Sequence, residues 1–411
     1  MLPQKAEKDW PPAVVADVFQ TGVNLMRDLG RHGVRVVGVD SNPSREGFRS
    51  VYGKSYLCPD PDTHPAEWVA FMQSLARQLG AKPVIIPAAD VFVSALGKHA
   101  AELRDFYAFD ECGARLQAAL GTKEHQYGLA HQHGFPCPRS EFVGSENALR
   151  RFAATACFPC LLKPRQQREW ETLPEGNPLR GRKLVTAETP EELIDHYAMA
   201  QRWRPEAVVQ EIIAGPDSAK YCYLSAYGRD GSRLGHCVVQ EFRAYPVLFG
   251  SASIVEPVED PEIEQACDRF LRAIHYVGVC EIEVKRDVRD GGVRLVEVNP
   301  RVSGTGDCAI YSGVEVGWLH YLDLVGVRVP EVRPSRFGFR HITLRREVPS
   351  AVKYLEKGMI TWRELMRSYR YPMEFYDFDL RDWRNTAATV GFCVRTLSGG
   401  VLRRLGLKRH R

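Results

Sequence analysis

No stretch of this chain approaches the ~20 consecutive apolar residues that cross a bilayer, so a transmembrane protein is not expected. The opening Met1-Leu2-Pro3-Gln4-Lys5-Ala6-Glu7 has no apolar core and carries an acid; no secretory leader is expected, and the expected compartment is the cytoplasm. Charge of one sign is also lacking. The 55 Lys and Arg nearly balance 51 Asp and Glu, and a formal +4 is too even for a general nucleic-acid binder. The 11 cysteines are scattered and odd in number, so they cannot all pair internally. Cys157-Phe158-Pro159-Cys160 has CxxC spacing, but no second pair or clustered His completes a zinc set, and buried thiols are the expectation. The turn Asp17-Val18-Phe19-Gln20-Thr21-Gly22 lacks the GxGxxG fingerprint, which counts against a nicotinamide oxidoreductase. Internal repeats and low-complexity segments are absent too.

What remains is the composition of an ordinary soluble globular protein, 44% hydrophobic and 26% charged. At roughly 150 residues per domain, 411 residues predict two or three domains. In the first 110 residues, apolar runs at Ala13–Ala16, Val34–Asp40 and Pro83–Pro87 alternate with helical patterns over 21–32 and 65–79. That alternation predicts a parallel sheet covered on both faces. From about Glu111 the texture changes. A helical stretch holds Lys123, and an apolar strand runs from Phe158 to Pro164 through Lys163. Residues 165–182 follow with no periodicity, which predicts a mobile functional loop. After a helix from Pro190, Val208-Val209-Gln210-Glu211-Ile212-Ile213 reads as a strand entering the turn Ala214-Gly215-Pro216-Asp217.

The chemistry concentrates between Val279 and Gly306. In Val279–Lys285, Glu281, Glu283 and Lys285 share one strand face; in Leu295–Arg301, Glu297 and Asn299 share another. Asp290-Gly291-Gly292 is a hairpin turn signal, and a hairpin centred there sets Glu283 across from Glu297. Two carboxylates and an amide oxygen then converge, a ligand set suited to a hard cation such as magnesium. Alternating charge on one strand also suits a solvated sheet face. The second strand tips the balance, because Asn is a poor strand former and Asn299-Pro300-Arg301 has no evident packing value.

Glu297-Val298-Asn299-Pro300-Arg301, preceded at this spacing by Glu283, resembles the metal-binding end of the ATP-grasp ligases. The resemblance covers roughly residues 13 to 330. It implies an α/β fold: a parallel-sheet domain over 1–110, a two-subdomain α+β ATP-grasp domain over 111–330 (111–205 and 206–330), and a C-terminal extension over 331–411. By the same resemblance, Glu283, Glu297 and Asn299 hold Mg2+, with Mn2+ as the alternative ion, and Lys123 and Lys163 hold the phosphates of ATP. Gln210, Glu211 and Ile213 match the adenine hinge and Asp217 the ribose acid, although the same residues suit a plain core strand and turn. Arg301, ending the metal strand, is expected to steady a transferring phosphoryl group or acyl phosphate; Arg243 is expected to add a second cation or to form a salt bridge. Residues 165–182 depart from the family pattern, with only Gly176 and Gly181 beside Arg165, Arg168, Arg180 and Arg182.

Within the family the chain looks most like the carboxylate–amine ligases related to D-aspartate ligase and the carbamoyl phosphate synthase large subunit. The expected activity is therefore ATP-dependent amide formation through an acyl phosphate, releasing ADP and phosphate. The alternative is a non-catalytic ATP-binding module that signals nucleotide state. Expected partners are small carboxylate and amine substrates and no nucleic acid; a homodimer is left open. Beyond Asp382 the chain carries seven cations and no acid, with Gly399-Gly400 expected to interrupt any helix. That basic tail suits docking on its own core, or else weak contact with an anionic membrane surface.

Overall fold

The computed structural model describes residues 10–165, 167–247 and 250–404, without the side chains of 167, 168 and 398–404. The described chain forms two compact units. The first gathers Met1–Phe135, Pro216–Val284 and Glu297–Arg411; the second gathers Pro136–Gly215 and Lys285–Val296. Compactness thus groups the chain differently from the three-part division expected along the sequence: the N-terminal region, most of 206–330 and the C-terminal extension share one unit, and the distal part of one hairpin belongs to the other.

The N-terminal sheet holds β1 (Ala13–Ala16), β2 (Val36–Asp40), β3 (Gly53–Leu57) and β4 (Val84–Pro87), in the order β3-β2-β1-β4. All pairs are parallel. β1, β2 and β4 are wholly buried, as their unbroken apolar runs require. β3, more polar and at the edge, was not foreseen. The helices Gln20–Arg31 and Pro65–Leu79 fall where the sequence predicted them. The lone glycine of the first turn is there for steric reasons, since a Cβ at Gly22 would lie 1.8 Å from the Asp17 carbonyl oxygen.

The second unit is built on β5 (Ser140–Val143), β6 (Cys160–Pro164), β7 (Val185–Ala187) and β8 (Ala207–Glu211), antiparallel throughout, in the order β5-β8-β6-β7. Residues 165–182, expected to form a mobile functional loop, are partly helical and partly buried. They include the short helix Gln167–Glu171, and Trp170, Leu173 and Leu179 are buried in the unit's core. Three large apolar side chains spaced irregularly anchor a segment without giving it a period.

The large sheet contains β9 (Lys220–Tyr227), β10 (Arg233–Tyr245), β11 (Ser251–Val258), β12 (Gly278–Arg286), β13 (Val293–Asn299), β14 (Arg340–Ile342) and β15 (Met373–Phe375), in the order β13-β12-β9-β10-β11-β14-β15. β12 and β13 form the expected hairpin around Asp290-Gly291-Gly292, with Gly291 at φ 73°. Residues 331–404 are part of the first unit, since β14 and β15 extend this sheet. The helix Trp383–Arg404 runs through Gly399-Gly400, so the expected interruption is not there. Two glycines cost about 2 kcal/mol relative to alanine, a sum that the rest of a 22-residue helix outweighs. Leu405 onward lies outside the described residues. No described helix is long and apolar enough to cross a membrane.

Candidate active site

In the first unit, a cluster of carboxylates gathers where β12 and β13 lie beside β9 and β10. Glu281 is buried: its Oε2 accepts from Asn299 Nδ2 at 3.0 Å, and its Oε1 accepts from Thr305 Oγ1 at 3.0 Å and from Ser303 Oγ. Glu283 Oε1 accepts from the same Asn299 Nδ2 at 3.2 Å. Lys220 Nζ, opening β9, sits 3.0 Å from Glu241 Oε2 and 3.8 Å from Glu283 Oε2. Lys123 Nζ sits 3.5 Å from Glu297 Oε1. Four carboxylates therefore face two ammonium groups in a largely desolvated place. Burial pushes the Glu283 carboxyl up to about 7; Lys220 opposes the shift, and Glu281, Glu297 and Glu241 add to it. An oxygen-rich cluster of this kind, with Glu283 held back from ionising by burial and by its neighbouring acids, fits a hard divalent cation. Burial alone lowers the Lys123 ammonium's pKa, but the Glu297 carboxylate outweighs it and holds the group above its usual range.

Lys123 is placed by its helix. Thr122 caps Lys123–Gln132, accepting from His125 N at 3.4 Å. One turn on, buried Gln126 pairs with β13 as a strand residue would: its Nε2 donates to the Val298 carbonyl at 2.8 Å, and Val298 N donates to its Oε1 at 2.9 Å. Residues three apart share a helix face, so this clasp carries Lys123 to the metal strand.

Asn299 differs in detail from expectation. Its amide turns Nδ2 to the two acids, while its Oδ1 accepts from Arg301 Nη2 at 3.3 Å. Buried carboxylates attract the donor end, so offering Oδ1 to a cation requires the amide to rotate. Arg301 is held by Asp90 at the start of the helix Asp90–Lys98, with Nε donating to Oδ1 at 2.6 Å. Arg243 is not open to phosphates. It is buried, donating to Glu347 Oε1 from Nη2 at 2.6 Å and from Nε at 3.0 Å, and to Ser368 Oγ at 3.0 Å. Of its two expected roles, the salt bridge is the one the geometry displays. Asp217 is buried and accepts from the Tyr354 hydroxyl.

In the second unit, Lys163 of β6 pairs with Val208 of β8, and Leu161 pairs with Gln210. Gln210 is buried, and its Oε1 is a buried acceptor without a partner among the described residues. Such an atom suits a donor on a ligand. Glu211 Oε1 accepts from Cys157 N at 2.9 Å, and Ile213 is buried beyond the strand's end. Of the CxxC pair expected to be buried thiols, Cys160 is buried and pushed up to about 12 by that burial, whereas Cys157 is exposed.

Residues 238–346, which run from β10 through the acid-bearing hairpin, match the family described as "ATP-grasp in the biosynthetic pathway with Ter operon". The biotin carboxylase domain of 2-oxoglutarate carboxylase from Hydrogenobacter thermophilus, solved with MgADP, ADP and bicarbonate, superposes with a TM-score of 0.60 at 14% identity, over 81% of this chain and 74% of that one. The chain has the ATP-grasp fold. Among curated proteins it is 26% identical over 231 residues to the D-aspartate ligase of Enterococcus faecium (strain Aus0004), covering 54% of this chain and 53% of that enzyme. It is 24% identical over 340 residues to the carbamoyl phosphate synthase large chain of Methanoculleus marisnigri, covering 76% of this chain and 29% of that one. The matches span about half the length of the first relative and under a third of the second.

Within this ATP-grasp fold the sequence reading missed Lys220, Glu241, Gln126 and Asp90, and left Glu281 and the Ser303-Gly304-Thr305-Gly306 turn without a metal-site role. Lys220 carried a signal, a charge on a strand face that is otherwise apolar, whereas Glu241 shares its parity along β10 with Arg233 and Arg243 and stood out less. Gln126 and Asp90 carried none, because their partners lie 172 and 211 residues away.

Proposed function

We propose that this ATP-grasp chain is an ATP-dependent carboxylate–amine ligase: it activates a carboxylate as an acyl phosphate, an amine displaces the phosphate, and amide, ADP and phosphate leave. The observation that carries this reading is the convergence of Glu281, Glu283, Glu297 and Asn299 with Lys123, beside an arginine held at the end of the same strand. The likeness to D-aspartate ligase supports it from another direction. Glu283, Glu297 and Asn299 would hold Mg2+, with Mn2+ as the alternative, and Glu281 orients Asn299. The ion, when bound, draws charge from the phosphoryl group being transferred.

The chain's own residues do the rest. Lys123 brings a point charge to the phosphates, fixed by the Gln126 clasp. Arg301 offers a planar guanidinium to the acyl phosphate, and Asp90 keeps it extended before substrate arrives. Lys163, Gln210, Glu211 and Ile213 are assigned to the nucleotide by the family pattern, Gln210 through its unpartnered acceptor, and Asp217 to the ribose. We reassign Arg243 from catalysis to positioning: with Glu347 it ties β10 to the helix Leu344–Glu356. The three-part domain division is kept as a proposal about how the chain was assembled. A cytoplasmic setting fits the reading. The non-catalytic module is disfavoured because such a module has no need of a complete acid set. An ADP-release screen over pairs of carboxylic and amino acids tests the proposal; tight Mg-ATP binding with no turnover on any pair would favour the module.

A further inference from the structure

A second set of ligating atoms comes together elsewhere in the first unit, where the helix Gln20–Arg31 meets the start of the helix Val316–Leu324. Asp28, His32 and Glu315 each present one atom, all within 4.8 Å of one another. Asp28 and His32 are four residues apart and so project from one side of the helical turn. His32 Nε2 lies 2.8 Å from Glu315 Oε2 and 4.0 Å from Asp28 Oδ1. The set is held from behind. Trp318 N donates to Asp28 Oδ2 at 3.2 Å, and the His32 ring stacks on the Trp318 ring with centroids 4.2 Å apart and planes within 2°. Gly317 allows this approach, because a Cβ there would lie 2.5 Å from Leu25 Cδ1 and 3.1 Å from Asp28 Oδ2.

Hydrogen bonding alone leaves the cluster incomplete. Asp28 is only 3% exposed, and its Oδ1 has no hydrogen-bond partner among the described residues. His32 cannot supply one: Nε2 carries at most a single hydrogen, and that direction is taken by Glu315. A buried carboxylate oxygen left bare is destabilising, and a second carboxylate beside it adds repulsion. The nearby Arg31 does not fill the gap, since its guanidinium is engaged by Asp379 at 3.0 Å.

We propose that Asp28, His32 and Glu315 form a second cation site, built from residues other than the Glu281–Glu283–Glu297 cluster, that takes a divalent transition ion such as Zn2+ through one imidazole nitrogen and two carboxylate oxygens. The imidazole separates it from a magnesium site, which prefers oxygen alone. His32 and Glu315 are each about a quarter exposed, which leaves room for water to complete a three-ligand set. The ion satisfies Asp28 Oδ1 and pins the first helix of the N-terminal sheet to the helix Val316–Leu324.

The test uses the full chain with Co2+ as probe, in excess Mg2+ to fill the acid cluster. One equivalent of Co2+ is expected to give weak visible bands without the intense charge-transfer bands of thiolate ligation, and Zn2+ should bleach them. His32→Gln and Glu315→Gln, both at partly exposed positions, should retain the far-UV spectrum of the wild type and bind Co2+ at least about tenfold more weakly, the loss that even an outer partner of a metal ligand produces. Either variant alone suffices if the other does not fold. Equal Co2+ binding by wild type and a folded variant overturns the proposal, as do thiolate bands or no uptake above the Mg2+ background.

Discussion

Lys220 is the residue whose removal should disturb the acid cluster most. Its ammonium is buried beside Glu241, itself buried, and lies 3.8 Å from Glu283. Burial alone lowers its pKa, yet the Glu241 and Glu283 carboxylates more than reverse that and hold it protonated far above the usual range. Lys220→Met keeps much of the side-chain volume and deletes the charge, leaving Glu241 buried without the cation beside it. Breaking a buried pair in this way costs about 3–5 kcal/mol. The first unit holds on the order of 300 residues, and at roughly 2 cal/mol/K per residue its midpoint should fall by about 5–8 °C. Lys220→Met with Glu241→Leu removes both charges and should recover most of the loss, so the two substitutions are strongly non-additive. Thermal unfolding followed by circular dichroism in metal-free buffer reads both. A Lys220→Met midpoint within about 1 °C of wild type would refute the idea that this lysine neutralises the buried acids.

Glu297→Gln changes a ligand charge at a half-exposed strand position; it should leave the melting curve in place and abolish Mg-dependent ADP release, and near wild-type turnover would remove the metal assignment. Gln126→Leu strips the Val298 N–H and carbonyl of their partners in a buried place; it should destabilise by roughly 2–4 kcal/mol and weaken ATP binding through Lys123, whereas unchanged ATP titrations would show that the clasp does not place the lysine. Asp307 is largely enclosed, and burial pushes its carboxyl up to about 7 against the pull of Arg27 and Arg31. The folded state then holds a proton that the unfolded state releases near its ordinary 3.8, so Asp307 lowers stability progressively from about pH 4 to 7 and by a constant amount above. Asp307→Asn should remove that loss: its stability relative to wild type should rise across this window and level off beyond it, and a difference that is flat with pH would contradict the shift.

How much could be read beforehand depended on whether a residue's partner was local. The buried strands of the N-terminal sheet announced themselves as unbroken apolar runs, because parallel strands covered on both faces leave no room for polar alternation. The hairpin carrying Glu283 and Glu297 was legible because its turn residues and its period of two lie within a single stretch. β3 was not, since Gly53-Lys54-Ser55-Tyr56-Leu57 is half-exposed at a sheet edge and has little apolar content to mark it. The burial within the 165–182 segment went unforeseen for the opposite reason: its anchors Trp170, Leu173 and Leu179 are buried but obey no period. Which of its two expected roles Arg243 takes was not legible, because Glu347, its buried partner, lies 104 residues away. Gln126 and Asp90, which orient Lys123 and Arg301, were invisible on the same ground.

The central claim is that the carboxylate is activated as an acyl phosphate beside Arg301. Once an acid is found by ADP release, the decisive measurement omits the amine and adds hydroxylamine. An acyl phosphate should be intercepted as a hydroxamate, with ADP as the nucleotide product in equal amount. AMP and pyrophosphate in place of ADP would mean an adenylate, and would contradict both the reaction and the role given to Arg301.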